Sequence, residues 1–489
     1  MARTLRLLAI GLALFAAACG RGDEGALEVA IVGDGSDPFE DGVLLSVAGQ
    51  HVRAATTEGL VGLDAQGQVI PALADRWIVT DDGRSYIFRL RDGTWADGSE
   101  LTGESARSAL RRSVGRLAGT SLGYDVAQIA EIRAMAGRVV EIRLKGPMPD
   151  FLQLLAQPEL GLTRNGRGTG PMKLRKVAGA AVLSMIAPDE RGLPAVEGWK
   201  DKVRELRVRG MTAKRAIELF DEGEVDVVLN GRIETLPMVD TGPLSRGTVR
   251  LDPSVGLFGL AVRRADGFLA DASGREALAM AVDRDALITR FNVGGLTPTT
   301  RVVAPDLPGD LGTIGERWEA MSIADRRAAA ASRVASWKAA HGGTAPEIAL
   351  DLPAGPGSDM LFEQLAGDMQ AIGITLRRAK NLSSADLELV DRVARYANAR
   401  WFLNQFHCGL RRGLCSSAAD ALTAEAAATE DPAERAALLA EAEAELTALN
   451  AYIPFSQPVR WSLVRAGITG FAGNQWVFHP LPPLAAVPR

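Results

Sequence analysis

VIPALADRWIVTDDGRSYIFRLRDGTWADGSELTGES, residues 69–105, is the stretch from which the fold is read. Trp77-Ile78-Val79 and Tyr86-Ile87-Phe88-Arg89-Leu90 are strand-like runs, and Asp81-Asp82-Gly83 between them supplies the positive φ that a tight hairpin turn requires. A helix is expected next, over 102–116, with Thr102 capping its first turn. Working outward, Leu27-Glu28-Val29-Ala30-Ile31-Val32 reads as the first strand, and 139–144, after Ala136-Gly137, as another. Two later helices carry start signals. Ser273-Gly274-Arg275-Glu276 matches a capping box opening EALAMAVDRDAL, 276–287. Asp431-Pro432-Ala433-Glu434 places proline at the first helical position, ahead of Leu438, Leu439, Ala442, Leu446 and Leu449 on one face. Strands and helices alternate with no repeat of fixed period, which implies a mixed α/β architecture of several lobes.

The chain has 489 residues, and at about 150 residues per domain this suggests roughly three structural units. Hydrophobic residues make up 47% and charged residues 24%, enough apolar material for large cores and no signature of disorder. Lys and Arg number 55 against 60 Asp and Glu, a net charge of -5 without a basic run to track a phosphate backbone, so nucleic acid is not an expected partner.

Residues 1–18, MARTLRLLAIGLALFAAA, put Arg3 and Arg6 before an apolar run from Leu7 to Ala18. That run is shorter than the ~20 residues of a membrane-spanning helix and ends in small residues, the pattern of a signal peptide. Phe15-Ala16-Ala17-Ala18-Cys19 resembles a bacterial lipobox, which implies lipidation at Cys19, a tether over 19–25 and a soluble body held outside the cytoplasm on a membrane. The other reading is an ordinary leader that leaves Cys19 free. The three cysteines are then accounted for by one anchor and by Cys408 and Cys415, which within HCGLRRGLC can form a disulfide in an oxidising compartment. A metal pair with His407 is the rival, without a second His/Cys cluster to complete a tetrahedral set.

Chemistry is mostly not found. His51, His341, His407 and His479 fall in no HExxH, and no GxxxxGK[ST], no GxGxxG after a strand and no GxSxG is present. No catalytic residue, metal or cofactor is expected. Gly168-Thr169-Gly170-Pro171 reads as a turn rather than as a phosphate cradle.

The order of segments carries a family resemblance. Thr57-Glu58-Gly59-Leu60, Leu63-Asp64, the opening stretch and GTGP at 168–171 come first. They are followed by VRELRVRGMTAKRAIELFDEGEVDVV at 203–228, which ends in Gly223, Glu224, Val225 and Asp226. Next come the segment from Ala270-Asp271 to Leu287, with Ala281, Asp283 and Arg284, and DPAERAALLAEAEAEL at 431–446 before Ile453-Pro454. Together they resemble the solute-binding lipoproteins of peptide, oligopeptide and nickel ABC importers, extracellular solute-binding protein family 5. The resemblance implies a two-lobe periplasmic binding fold, type II of the peptide-binding cluster, with a two-stranded hinge and an inserted subdomain. Lobe 1 would use 26–56, 163–250 and 455–489, the subdomain 57–162, and lobe 2 251–454. It implies a monomeric periplasmic protein, not an enzyme, that closes on a peptide-like or other small organic ligand and delivers it to an ABC permease and ATPase. Closure is then driven by the ligand's differential affinity for the closed state.

One departure matters. Relatives that grip a peptide's α-amino group place an aspartate where 386–403 here puts Asn398, with Arg395 in place of another acid and Ala399 in place of a proline. A buried ammonium needs a carboxylate, whereas Arg395 and Arg400 favour carboxylate or phosphate. The ligand is thus expected not to be an ordinary peptide with a free N-terminus, unless both arginines face solvent on an amphipathic helix. Tyr396, Trp401 and Phe406 are candidates for apolar and stacking surface. A transporter-less ligand sensor or periplasmic chaperone is the alternative function, and a lipoprotein hydrolase a remote one.

Overall fold

The computed structural model describes residues 25–33, 37–239, 247–312 and 315–488; the leader 1–18 and Cys19 lie outside the described residues. Leu206–Met211, the helix Ala213–Asp221 and Val227–Arg232 form a strand–helix–strand unit whose two strands flank Leu27–Val32, both parallel to it. Thr212 starts that helix by accepting from the Arg215 amide, and Ala213, Ala216, Leu219 and Phe220 form its buried stripe. Asp226, at the end of the connection, accepts from the Glu28 amide at 3.0 Å and so sets the first strand beside the third. The sheet extends to seven strands in the order Met172–Val177, Ala180–Met185, Leu206–Met211, Leu27–Val32, Val227–Arg232, Arg460–Val464, Val249–Leu251.

A second sheet orders Thr375–Arg378, Glu347–Asp351, Leu387–Val393, Gly256–Val262 and Tyr452–Ser456. A third, antiparallel, orders Ala74–Val79, Ser85–Leu90, Val139–Leu144 and Ile129–Ala134. Its second strand alternates: Tyr86, Phe88 and Leu90 are buried, and the residues between them are less so, the period-2 pattern of a one-sided sheet. Gly83 takes φ +65° in the turn that joins its first two strands. The helix Gly103–Arg116 follows, with Thr102 and Ser105 closing a reciprocal cap.

The chain crosses between the seven- and five-stranded sheets twice, over 252–255 and 457–459. The two crossings are tied together: Ser254 Oγ donates to the Pro458 carbonyl, and the Gly256 amide to Gln457 Oε1 at 2.8 Å. Gly231, beside the second crossing, is one position where glycine is obligatory. A Cβ there would stand 2.0 Å from the Trp461 ring, itself fully buried. Gly231→Ala is expected to lower stability by about 3 kcal/mol through overpacking, read as a fall in the urea midpoint; a midpoint unchanged within error would contradict this.

One expected helix start is corrected. No capping box forms at 273–276: the helix Ala272–Ala281 follows Asp271 without a side-chain cap, and Glu276 instead pairs with Arg317 at 2.9 Å and Arg333 at 2.7 Å. Two guanidiniums bind a carboxylate more strongly than one backbone amide does. The helix also does not run through 276–287. It stops at Val282, and Asp283 caps a new one, Arg284–Thr289. At 431 the helix Pro432–Leu449 starts as expected, with Asp431 accepting from Ala433 and Glu434.

Candidate ligand-binding cleft

The carboxyl ends of parallel strands are where an open α/β sheet leaves a crevice. Here Asn230 and Arg232, ending Val227–Arg232, open into a cavity of about 600 Å³. Asn230 adopts φ +64° at a bulge and donates to the Val32 carbonyl at 2.8 Å. The five-stranded sheet supplies Asp391 and Arg392 from its strand Leu387–Val393, and Arg395, Trp401 and Arg412 beyond it. The subdomain built on the four-stranded sheet supplies Asp125, Gln157 and Glu159. All three bodies therefore wall one space.

Charge in the cavity is unevenly balanced. Arg460 pairs with Asp391 at 2.7 Å and Arg395 with Glu159 at 3.2 Å. That leaves Arg232, Arg392 and Arg412 on the wall, against Glu40 and Asp125. Arg392 donates to Gln405 Oε1 at 3.2 Å. Burial, and then the neighbouring Arg412 charge, pull its guanidinium down to about 10. The carboxylate behind them, Glu388, is engaged by Arg263 at 3.2 Å, and one terminal nitrogen of Arg412 is buried without a partner. Cationic side chains are thus held together with less than their complement of anions.

Of the sequence candidates, Arg395 and Trp401 line the cavity, whereas Tyr396, Asn398 and Arg400 stand behind it and hold the subdomain. Tyr396 OH and Asn404 Nδ2 both donate to Asp125 Oδ1, at 2.8 and 2.7 Å. Arg400 donates to Gln128 Oε1 at 3.0 Å and to the Tyr124 carbonyl at 3.2 Å. Asn398 caps the helix Ala399–Asn404 and donates to Asp150 at 3.3 Å. Arg395 also donates to Gln157 Oε1 at 2.9 Å, so its charge serves the junction between lobes rather than standing free. Burial raises the Asp125 carboxyl to about 6, opposed by the hydrogen bond from Asn404 and the Arg400 charge. Phe406 packs on Tyr452, ring centroids 5.1 Å apart.

The Cys408 and Cys415 sulfurs stand at bonding distance, 2.19 Å. The loop they close carries Arg412 to the cavity. Gly413 lets it pass Val262, whose carbonyl a Cβ would meet at 2.4 Å, and the Leu414 amide donates to that carbonyl. His407 lies flat on Tyr124, centroids 3.6 Å apart, rather than in a ligand set. Sequence reasoning missed Asp391, Arg392, Arg412 and Arg460. Arg392 is three residues before Arg395 in the same quoted stretch, but nothing in its spacing separates a cavity arginine from one that braces an interface.

The family model for bacterial extracellular solute-binding proteins, family 5 (middle), matches residues 68–391. The probable deoxycholate-binding periplasmic protein YgiS of Escherichia coli K12 is 28% identical over 316 residues, 58% of each chain. The glutathione-binding protein GsiB of the same strain is 25% identical over 294 residues, 55% of this chain and 54% of that one. The matched region therefore spans little more than half the length of these curated relatives. In three dimensions, Haemophilus influenzae OppA in complex with the peptide RPPGFSPFR superposes with a TM-score of 0.78 at 17% identity, over 95% of this chain and 99% of that one. The fold is accordingly the two-lobe periplasmic binding fold, and the cavity lies where its lobes meet. The chain belongs to the bacterial extracellular solute-binding proteins, family 5.

Proposed function

We propose that this chain is an extracytoplasmic lipoprotein, anchored through Cys19, that captures a small organic anion between its lobes and hands it to an ABC permease and its ATPase. Arg392 and Arg412, side by side on the cavity wall with one shared carboxylate behind them, are the observation that carries the reading. Guanidinium presents paired donors to a planar carboxylate, and a desolvated cation pair gains most from an anion that replaces lost water. The position at which relatives hold a peptide amine is occupied by Asn398, spent on a helix cap and on Asp150. A peptide gripped by its free N-terminus at that point meets the Asn398 amide instead of a carboxylate side chain, and the Asp150 carboxylate beyond it is already engaged by Asn398. The names of the relatives fit an anionic ligand: deoxycholate and glutathione both carry carboxylates. Cys408 and Cys415 are, on this reading, disulfide-bonded outside the cytoplasm, and the protein acts as a monomer.

Native mass spectrometry of protein purified without refolding should show a co-purified small acid. Calorimetric titration with that acid, and with deoxycholate and glutathione, should give binding that Arg392→Met weakens by roughly a hundredfold, the cost of removing one partner of a buried charge pair. A di- to pentapeptide set that binds tightly, with loss on Asn398→Ala, would overturn the proposal.

A further inference from the structure

We propose that a second crevice, which meets the cleft only at Glu40, is a binding site for a phosphate-type oxyanion. The crevice, about 860 Å³, runs between the helix Val47–Thr56, the inserted subdomain and the strand Met172–Val177. Six cationic side chains line it, against the three acids Glu40, Asp41 and Glu190. Three of the cations are satisfied: Arg91 and Arg191 both grip Glu58, and Lys173 pairs with Glu190 at 3.0 Å. The remaining three arrive from three separate elements. Arg53 comes from the helix Val47–Thr56, Arg116 ends the helix Gly103–Arg116, and Arg167 sits on the short hairpin before Gly168. Arg53 donates to the carbonyls of Glu40 and Gly42, at 3.2 and 3.3 Å. The side chains of Arg116 and Arg167 make no hydrogen bond or ion pair among the described residues.

Convergence of this kind costs energy unless something offsets it. Burial and the adjacent Arg116 charge both work against the Arg53 cation, and Glu40 and Asp41 only partly restore it. The glycine-rich loop explains how the third arginine is delivered. A Cβ at Gly168 would meet the Thr56 carbonyl oxygen at 2.5 Å, and one at Gly170 the Thr56 carbonyl carbon at 2.3 Å; the Gly170 amide also donates to the Thr56 carbonyl at 3.0 Å. The loop's glycines thus serve close packing that holds the hairpin carrying Arg167 against the end of the helix carrying Arg53, so that both line the crevice, and the loop is not itself an amide cradle. A multiply charged oxyanion fits three guanidiniums in a concave site, because each offers a planar pair of donors and the anion cancels their mutual repulsion. The chemistry is shared by a free phosphorylated solute and by the headgroup of an anionic phospholipid.

The test uses the full chain. Inorganic pyrophosphate is titrated at 0.15 M salt into wild type, Arg116→Gln/Arg167→Gln and Arg392→Met, and co-sedimentation is measured with phosphatidylglycerol and with phosphatidylcholine vesicles, the latter reporting the lipid anchor alone. Pyrophosphate binding that falls at least tenfold in the double variant and is unchanged in Arg392→Met supports a soluble ligand. No pyrophosphate binding, but an excess on phosphatidylglycerol that the double variant loses, supports a headgroup. Absence of both effects, or effects equal in wild type and double variant, overturns the proposal. Because Arg392 belongs to the cleft and both exchanged residues are exposed and absent from its lining, failure here leaves the cleft reading intact.

Discussion

Arg400→Ala is expected to lower the unfolding free energy by about 3–5 kcal/mol, the range for stripping one partner from a buried charged network. Arg400 comes from the helix Ala399–Asn404 and is 6% exposed; it reaches across to Gln128 and Tyr124 of the inserted subdomain. Its removal leaves Gln128 Oε1 without that donor and deprives Asp125 of its nearest cation, and Asp125 Oδ2 is already buried without a partner. Arg400→Met retains most of the apolar stem, so a comparable loss in that variant assigns the effect to charge rather than to packing. Denaturant unfolding of both variants measures it, and a loss below about 1 kcal/mol, the scale of an exposed pair, would show the network to be dispensable.

The same network sets a pH dependence. Asp125 in the folded protein titrates at about 6, above its ordinary value of 3.8. A carboxyl raised by folding binds its proton more tightly in the native state. Its contribution therefore favours folding most below the unfolded value, declines as pH rises from about 4 to about 6, and is flat beyond. Asp125→Asn should remove that decline: the stability difference between variant and wild type should change between pH 4 and pH 6 and be constant from pH 7 to 8. A difference constant over the whole range would contradict the raised titration.

Arg460→Met is expected to be as damaging, again by about 3–5 kcal/mol. Arg460 begins the strand that follows the second crossing, and its guanidinium holds both the side chain and the carbonyl of Asp391, at 2.7 and 3.3 Å, from the other lobe. The two side chains are 3% and 7% exposed, so solvent screens the pair little. Loss of the cation leaves the buried Asp391 carboxylate without its counter-charge, and one of its oxygens already has no partner. Asp391→Asn in the same chain should recover part of the loss, and the coupling read from the double-mutant cycle should exceed 1 kcal/mol. Strict additivity would mean that each residue acts alone.

Local chemistry made several elements readable in advance. The Asp-Gly turn at 82–83, the Thr102 cap, the Asp431-Pro432 start and the alternation through Tyr86, Phe88 and Leu90 depend on neighbours within a few residues, and the structure contains each. The capping box at 273–276 failed because Glu276 meets Arg317 and Arg333, 41 and 57 residues away, and the stronger partners prevailed. The stretch 386–403 was singled out in the sequence by its arginines. Its arginines could not be sorted there, because Arg392, Arg395 and Arg400 have the same chemistry and differ only in what other segments bring to them. Gln157 and Glu159 take up Arg395, and Tyr124 and Gln128 take up Arg400. Arg392 meets Arg412, carried in by the loop between Cys408 and Cys415.

By itself, then, the sequence determined the class of fold, the family and the local starts and turns, since these follow from periodicity, capping and the order of motifs along one chain. Only the tertiary structure decided which charges are spent on joining the lobes and which remain for a ligand. That balance depends on distances between segments as far apart as Arg400 and Tyr124, 276 residues, and a Coulomb or hydrogen-bond partner at such separations leaves no trace in local spacing.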